Sequence, residues 1–246
     1  MFDLQGYGWA ILQGAGLTVE VALLSLLVAM LLGMAGAMAK LSTSKALRIS
    51  ATIYTTIIRG IPDLVLMMLI FFGGQIFLNN SLYQVNEWLN SALTSLNPQH
   101  EWAAYLPDYI DVSPFIAGIL TIGFIFGAYM AETFRGAILA VDQGELEAAK
   151  AYGMSPWLSF KRVLFPQMVR HALPGFGNNW LVLLKTTALV SIIGLEDMVR
   201  IGSLAAGSTK MPFTFYMAIS VLFLLFTSLS TSVLKMLERR YAIQTR

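Results

Sequence analysis

The stretch Val141-Asp142-Gln143-Gly144-Glu145-Leu146-Glu147-Ala148-Ala149-Lys150-Ala151-Tyr152-Gly153-Met154-Ser155-Pro156-Trp157 carries two helix starts and one helix stop. Asp142 and Glu145 have the spacing of a capping box, with Asp142 set to accept the orphan N–H groups of a first turn. Glu145 and Glu147 add negative charge where the helix dipole favours it. Ala148, Ala149 and Ala151 are strong helix formers. Gly153 suits the left-handed position that ends a helix. Ser155 and Pro156 then read as an N-cap and the first residue of a second helix. The reading is a short helix of about three turns that stops sharply, with another leaving it at an angle. Held parallel to a membrane, its alanine face lets a second protein approach closely. An amphipathic connector is the plainer alternative.

Outward from this stretch the chain is strongly apolar. Of 246 residues, 57% are hydrophobic and only 12% charged, where soluble domains carry about 25%. The bilayer is therefore the expected solvent, and the length suits one domain, 1–246. Five segments are apolar enough to span: about Gly14 to Ala39, Ala51 to Leu78, Ser113 to Ala140, Asn178 to Leu195, and Phe213 to Leu237. The second carries a kink signal at Gly60-Ile61-Pro62, and the fourth reads as short and broken. The second and third would reach roughly 40 Å, beyond a hydrocarbon core of about 30 Å. The expected fold is thus an all-α integral membrane protein with five transmembrane helices. Met1 to Gln13 hold no Lys or Arg, so no secretory signal is read and the first segment is expected to remain.

Basic residues set the orientation. Thirteen of the 16 Lys and Arg residues fall in three groups: Lys40 to Arg59, Arg135 to Arg170, and Lys235 to Arg246. Residues 1–39 and 79–112 hold none. The N-terminus is accordingly expected on the periplasmic side, and the C-terminus and the loop 141–174 in the cytoplasm. The outer loop 79–112 carries Glu87, Glu101, Asp108 and Asp111 without a basic partner. It is either a solvated loop or a docking surface for an external protein, and Trp88, Trp102, Tyr105 and Tyr109 suit interfacial anchors.

Ionisable side chains inside apolar spans are costly and face cavities or one another. Glu20, Asp63, Glu132, Arg135 and Lys185 are the candidates. Glu132 and Arg135 share a helix face, which makes a salt bridge the simple reading. Asp63 follows Pro62 and serves either as a dipole partner for the next helix or as a ligand. The run Pro174-Gly175-Phe176-Gly177-Asn178-Asn179 reads as a turn and N-cap, or as irregular backbone lining a cavity. Glu196 and Asp197 are read at the outer C-terminal end of the fourth helix, where they oppose the dipole and need another reason, such as a cationic substrate. No catalytic constellation is present. The chain has no Cys and no Gly-rich phosphate loop, and His100 and His171 are isolated.

Glu147-Ala148-Ala149, then Gly153, Val163 and Pro166, resembles the EAA loop of permease subunits of ATP-binding-cassette importers, with Phe165 where leucine is common. Arg59-Gly60-Ile61-Pro62, Ala131-Glu132-Thr133-Phe134-Arg135-Gly136 and Leu183-Leu184-Lys185-Thr186-Thr187-Ala188-Leu189 resemble the polar amino acid branch. Arg59 to Leu66 and the ending Leu237-Glu238-Arg239-Arg240-Tyr241 look closest to the Q-type subunit of histidine and lysine/arginine/ornithine importers.

The resemblance implies a MetI-like type I permease core in the bacterial inner membrane. It implies a second homologous permease subunit, two ATPase subunits and a periplasmic amino-acid-binding protein. ATP and Mg would belong to the ATPase, with no cofactor and no metal on this chain and no nucleic acid partner. Glu147, Ala148, Ala149, Gly153 and Pro166 would form the ATPase-coupling element. Asp63, Glu132, Asn178, Asn179, Glu196 and Asp197 are the candidate substrate path, for a polar, basic amino acid. A self-sufficient secondary transporter or channel is the competing reading, and a membrane-anchored enzyme lacks its catalytic groups. Reporter fusions test the topology: a cytoplasmic reporter should be active at Lys150 and a periplasmic one near Glu101, and the reverse pattern would overturn the orientation.

Overall fold

The computed structural model describes residues 4–96 and 107–241. His100, Glu101, Trp102, Tyr105 and Arg246 lie outside the described residues. The described chain is helical: α1 (Gly8–Leu41), α2 (Lys45–Gly60), α3 (Asp63–Leu96), α4 (Pro114–Leu139), α5 (Gln143–Ala151), α6 (Pro156–Ser159), α7 (Phe165–Thr186), α8 (Met198–Thr209) and α9 (Pro212–Tyr241). A π-turn over Phe160–Leu164 joins α6 to α7, and a 3₁₀ segment, Thr187–Ile193, continues α7. Five stretches are long and apolar enough to cross a membrane: Gly8–Leu41, Asp63–Leu93, Pro114–Leu139, Pro156–Ile193 and Pro212–Tyr241.

The count of five agrees with the sequence, but three boundaries do not. The second span opens at Asp63, because Gly60-Ile61-Pro62 breaks the chain instead of kinking it. Ile61 is extended (φ −110°, ψ 139°), as a residue before proline prefers. Residues 45–60 form a separate helix of only 16 residues. The expected outer loop 79–112 is helical as far as Leu96, since α3 runs on beyond its apolar part. The fourth span is long rather than short: Pro174, Gly175, Gly177, Asn178 and Asn179 lie inside α7, not in a turn. A helix surrounded by packed neighbours tolerates an internal proline that an isolated one would not.

Helix α4 is the centre. It packs on α1, α2, α3, α7 and the 3₁₀ segment, and its interface with α1 is the most extensive among the described residues. The reason is side-chain size. Ser25, Ala29, Gly33 and Ala37 recur every four residues on α1 and are buried. Gly123, Gly127 and Ala131 recur likewise on α4 and are buried. In lipid no hydrophobic force drives helices together, so small residues that let backbones approach supply the contact. A Cβ on Gly127 would sit 2.8 Å from the Cβ of Leu32, and one on Gly33 would run into the Cβ of Met130. A smaller core, with Ile11, Ala15, Met198, Ala205 and Phe215, holds α8 and α9 to the start of α1.

Gly33→Ala should therefore lower stability by about 1–3 kcal/mol through overpacking. Gly16→Ala meets nothing within 4 Å and should leave the unfolding midpoint in detergent unchanged or slightly raised. Equal behaviour of the two variants would contradict the close α1–α4 approach.

Candidate functional site

The first site is the surface of α5. Asp142 caps it, its Oδ1 accepting from the Gly144 N–H at 2.8 Å. The reciprocal half of the expected capping box is not made. Glu145 instead accepts from the Gln167 side chain and ties α5 to α7. The stop is a Schellman motif: the Gly153 N–H reaches the Lys150 carbonyl at 2.9 Å, and the Met154 N–H reaches Ala149 at 3.0 Å. Gly153 has φ +75°, a backbone that L-residues enter only at a cost. Ser155 Oγ then accepts from the Leu158 N–H at 3.3 Å and Pro156 opens α6.

Ala149 is buried under the helix, whereas Glu147 and Ala148 are exposed. Tyr152 and Trp157 stand out beside them at 86% and 70% exposure. Trp157 stacks on Phe160 with centroids 5.6 Å apart. Pro166 sits at the start of α7 and has no N–H to give. The wide turn before it closes through the Phe165 N–H to the Phe160 carbonyl. The result is a nine-residue helix with one face seated, one face open, and both ends fixed.

The second site is an ion-paired seam at the same end of the bundle. Glu132 of α4 takes Lys40 Nζ from α1 and accepts from Thr55 Oγ1 of α2 at 3.2 Å. Arg135 Nε lies 3.7 Å from its other oxygen, so the expected i,i+3 pair is present. The Lys40 side chain is only 9% exposed. Lys40 is read in the sequence only as a topology charge, and Thr55 carries no signal at all. A lysine in the last turn of an apolar helix was the available hint that it needs a buried partner. One residue on, Thr133 Oγ1 accepts from Asn179 of α7 at 2.9 Å, while Asn178 is exposed. Arg59 lies 5.5 Å over the Tyr129 ring, and Asp63 opens α3, half-buried.

The remaining candidates are elsewhere. Glu196 is exposed, but Asp197 is 1% exposed and caps α8, accepting from the Arg200 N–H at 2.8 Å. Asp197 thus stands at a helix N-terminus, where its charge suits the dipole; the expectation that it opposes a C-terminus is corrected. Burial pushes its carboxyl up to about 6, against backbone N–H groups that pull it down. The charged form is the disfavoured one there. Its cost is complete above pH about 6 and disappears below the ordinary carboxylate range. Asp197 packs on Gly14, 26 residues along α1 from Lys40, which is about 39 Å of helix. Glu196 and Asp197 therefore do not share a site with Glu132. Glu20 and Lys185 are exposed and have no ion pair among the described residues. No group of three metal-ligating side chains occurs among the described residues.

Breaking the seam on one side should be worse than removing it. Lys40→Met leaves a carboxylate that is only 27% exposed with weaker compensation, and should cost about 1–3 kcal/mol, short of the about 3–5 kcal/mol of a fully buried pair. Lys40→Met with Glu132→Leu should recover most of that loss in thermal unfolding, and additive losses would argue against the pairing.

Residues 24–243 match the family described as the binding-protein-dependent transport system inner membrane component. The chain is 48% identical over 240 residues to the histidine/lysine/arginine/ornithine transport system permease protein HisQ of Salmonella typhimurium, covering 98% of this chain and 96% of the relative. It is 35% identical to the arginine ABC transporter permease protein ArtQ of Escherichia coli, covering 93% of each. Among solved structures, an amino acid ABC transporter crystallised with histidines matches at TM-score 0.74 and 28% identity, covering 98% of this chain and 99% of that one. An inward-facing MetNI methionine ABC transporter matches at 0.69 and 16% identity, a likeness of fold, covering 95% and 97%.

Proposed function

This chain belongs to the binding-protein-dependent transport system inner membrane component family, and we propose from that premise that it forms the path for a cationic amino acid, driven through α5 by a separate ATPase. It is a multi-pass permease subunit of an ABC amino acid importer in the inner membrane, and not itself an enzyme. The observation that carries the substrate class is the 48% identity, over 98% of the chain, to a histidine/lysine/arginine/ornithine permease.

The coupling reading rests on shape. A short helix with one face buried and Glu147 and Ala148 exposed on the other offers a partner a rigid, closely approachable ridge. Gly153 fixes where that ridge ends, and Pro166 stands in the first turn of α7. A self-sufficient carrier or channel has no use for such a ridge. ATP and Mg then belong to the partner, and two ATPase copies, a second homologous permease subunit and a periplasmic binding protein complete the importer.

For the substrate, a cation leaving water needs carboxylates or carbonyls in exchange for hydration. Asp63 is the strongest candidate in the path. It is half-buried beside the chain break and has no ion pair among the described residues. Glu132, already matched by Lys40 and Arg135, borders the path as a neutralised carboxylate, and Asn178, exposed on α7, adds a polar contact. Asn179, bonded to Thr133, positions α7 against α4 beside them. Glu196 and Asp197 are assigned to an outer vestibule, with Glu196 the member that meets solvent.

Reconstituted complex and radiolabelled arginine, histidine and glutamine test both parts. Gly153→Val, whose β-branched side chain faces open space but whose backbone is left-handed, should cost at least about 1 kcal/mol locally. It should lose ATPase co-purification and uptake of every substrate. Asp63→Asn should keep the complex and reduce arginine uptake more than uptake of a neutral substrate. Wild-type arginine uptake by Asp63→Asn would mean that Asp63 only serves the start of α3, where asparagine does nearly as well.

A further inference from the structure

A cavity of about 540 Å³ opens between the last turn of α1, the first half of α2 and the end of α4. Lys40, Arg48 and Arg135 line it with Glu132 as their only carboxylate. Three cations against one anion leave the cavity positive. Glu132 draws Lys40 and Arg135 to fixed positions, but the pairs do not exhaust them. An ammonium has three donors and a guanidinium five. Lys40 spends one contact on Glu132, and Arg135 faces it only through Nε. Arg48 is exposed and has no ion pair among the described residues. A guanidinium fork lining a positive cavity matches a phosphate oxygen pair in bidentate geometry.

The rest of the lining says what carries that phosphate. Leu41, Ile49 and Ile53 complete the cavity wall together with Thr52. Ile49 and Ile53 are 48% and 52% exposed, and Ile57 continues the row one turn on at 51%. Helix α2 is not one of the spans. Its opposite face, with Ala51, Thr55 and Ile58, is buried in the bundle. It therefore presents a basic end joined to an isoleucine stripe, the division of a headgroup from its acyl chain. A soluble phosphate or nucleotide has no use for the stripe.

We infer that this cavity is a binding site for one anionic phospholipid, its phosphate held by Arg48 and Arg135 and an acyl chain laid along Ile49, Ile53 and Ile57. Basic pockets between helices at the cytoplasmic side of a membrane hold such headgroups elsewhere. The site needs the chain to be membrane-embedded but does not depend on which amino acid is carried, so uptake assays and lipid assays fail independently.

The test is native mass spectrometry of the assembled transporter, extracted from vesicles of equal parts phosphatidylglycerol and phosphatidylcholine. Wild-type complex should retain phosphatidylglycerol in preference to phosphatidylcholine. Arg48→Gln should lower that retention at least about fivefold. Lys235→Gln, an exposed cation on α9 outside the cavity, should not change it. Excess inorganic phosphate should not displace the lipid. Equal retention of both lipids, no effect of Arg48→Gln, or an equal loss in Lys235→Gln would overturn the assignment. Displacement by phosphate would show a site for the free anion instead.

Discussion

Everything in this chain hangs on how closely α1 approaches α4. Two membrane helices gain nothing from hiding apolar side chains from lipid, so they adhere only where their backbones come near enough for dense van der Waals contact. Gly33 against Met130, and Gly127 against Leu32, set that distance. The approach brings Lys40 at the end of α1 level with Glu132 on α4. A bulkier seam would hold the two charges apart inside an apolar surrounding, where neither is tolerable alone. The ion pair is thus a consequence of the glycines as much as of the charges. It also reaches Thr55, which gathers α2 into the same cluster.

From that fixed core the functional parts extend as short, stiff arms. Only Ala140, Val141 and the cap Asp142 separate α4 from α5, so a displacement of α5 would reach α4 with little slack. The Glu145–Gln167 bond and the π-turn join the other end of this unit to α7. Asn179 then returns α7 to α4 through Thr133. Residues 141–164 are therefore better described as a bracket between α4 and α7 than as a loose connector. Such a bracket is suited to convert displacement at its outer face into relative motion of α4 and α7.

The sequence revealed local chemistry well and long-range pairing poorly. Asp142, Gly153, Ser155 and Pro156 each act through their immediate neighbours, and each is found in the role its residue type demands. The family was legible from the motif around Glu147 and Gly153. The break at Pro62 was sensed but underestimated, because hydropathy runs across it while proline stereochemistry does not. The run around Pro174 and Asn178 reads as a turn or as irregular backbone, because propensity favours either over helix. Packing of α7 against α4 overrides it, and Gly175 fits beside Thr133 where a side chain would not. Asp197 was placed at the wrong kind of helix end because α8 was not foreseen. Lys40 signals only that it needs some buried partner and Thr55 signals nothing, since nothing local to either records a residue on another helix. The four-residue spacing of small residues on α1 and α4 was present throughout and is the signal that would have paired those helices.

The central claim is that the exposed face of α5 is where an ATPase takes hold. The chain has no cysteine, so a single introduced thiol is unambiguous. Ala148→Cys, at the middle of that face, should cross-link to the ATPase of the assembled complex through a short reagent that joins the thiol at one end and is photoreactive at the other. Tyr109→Cys, exposed on the connection between α3 and α4 at the opposite end, should not. No cross-link from Ala148→Cys in a complex that still hydrolyses ATP, or an equal cross-link from Tyr109→Cys, would contradict the account.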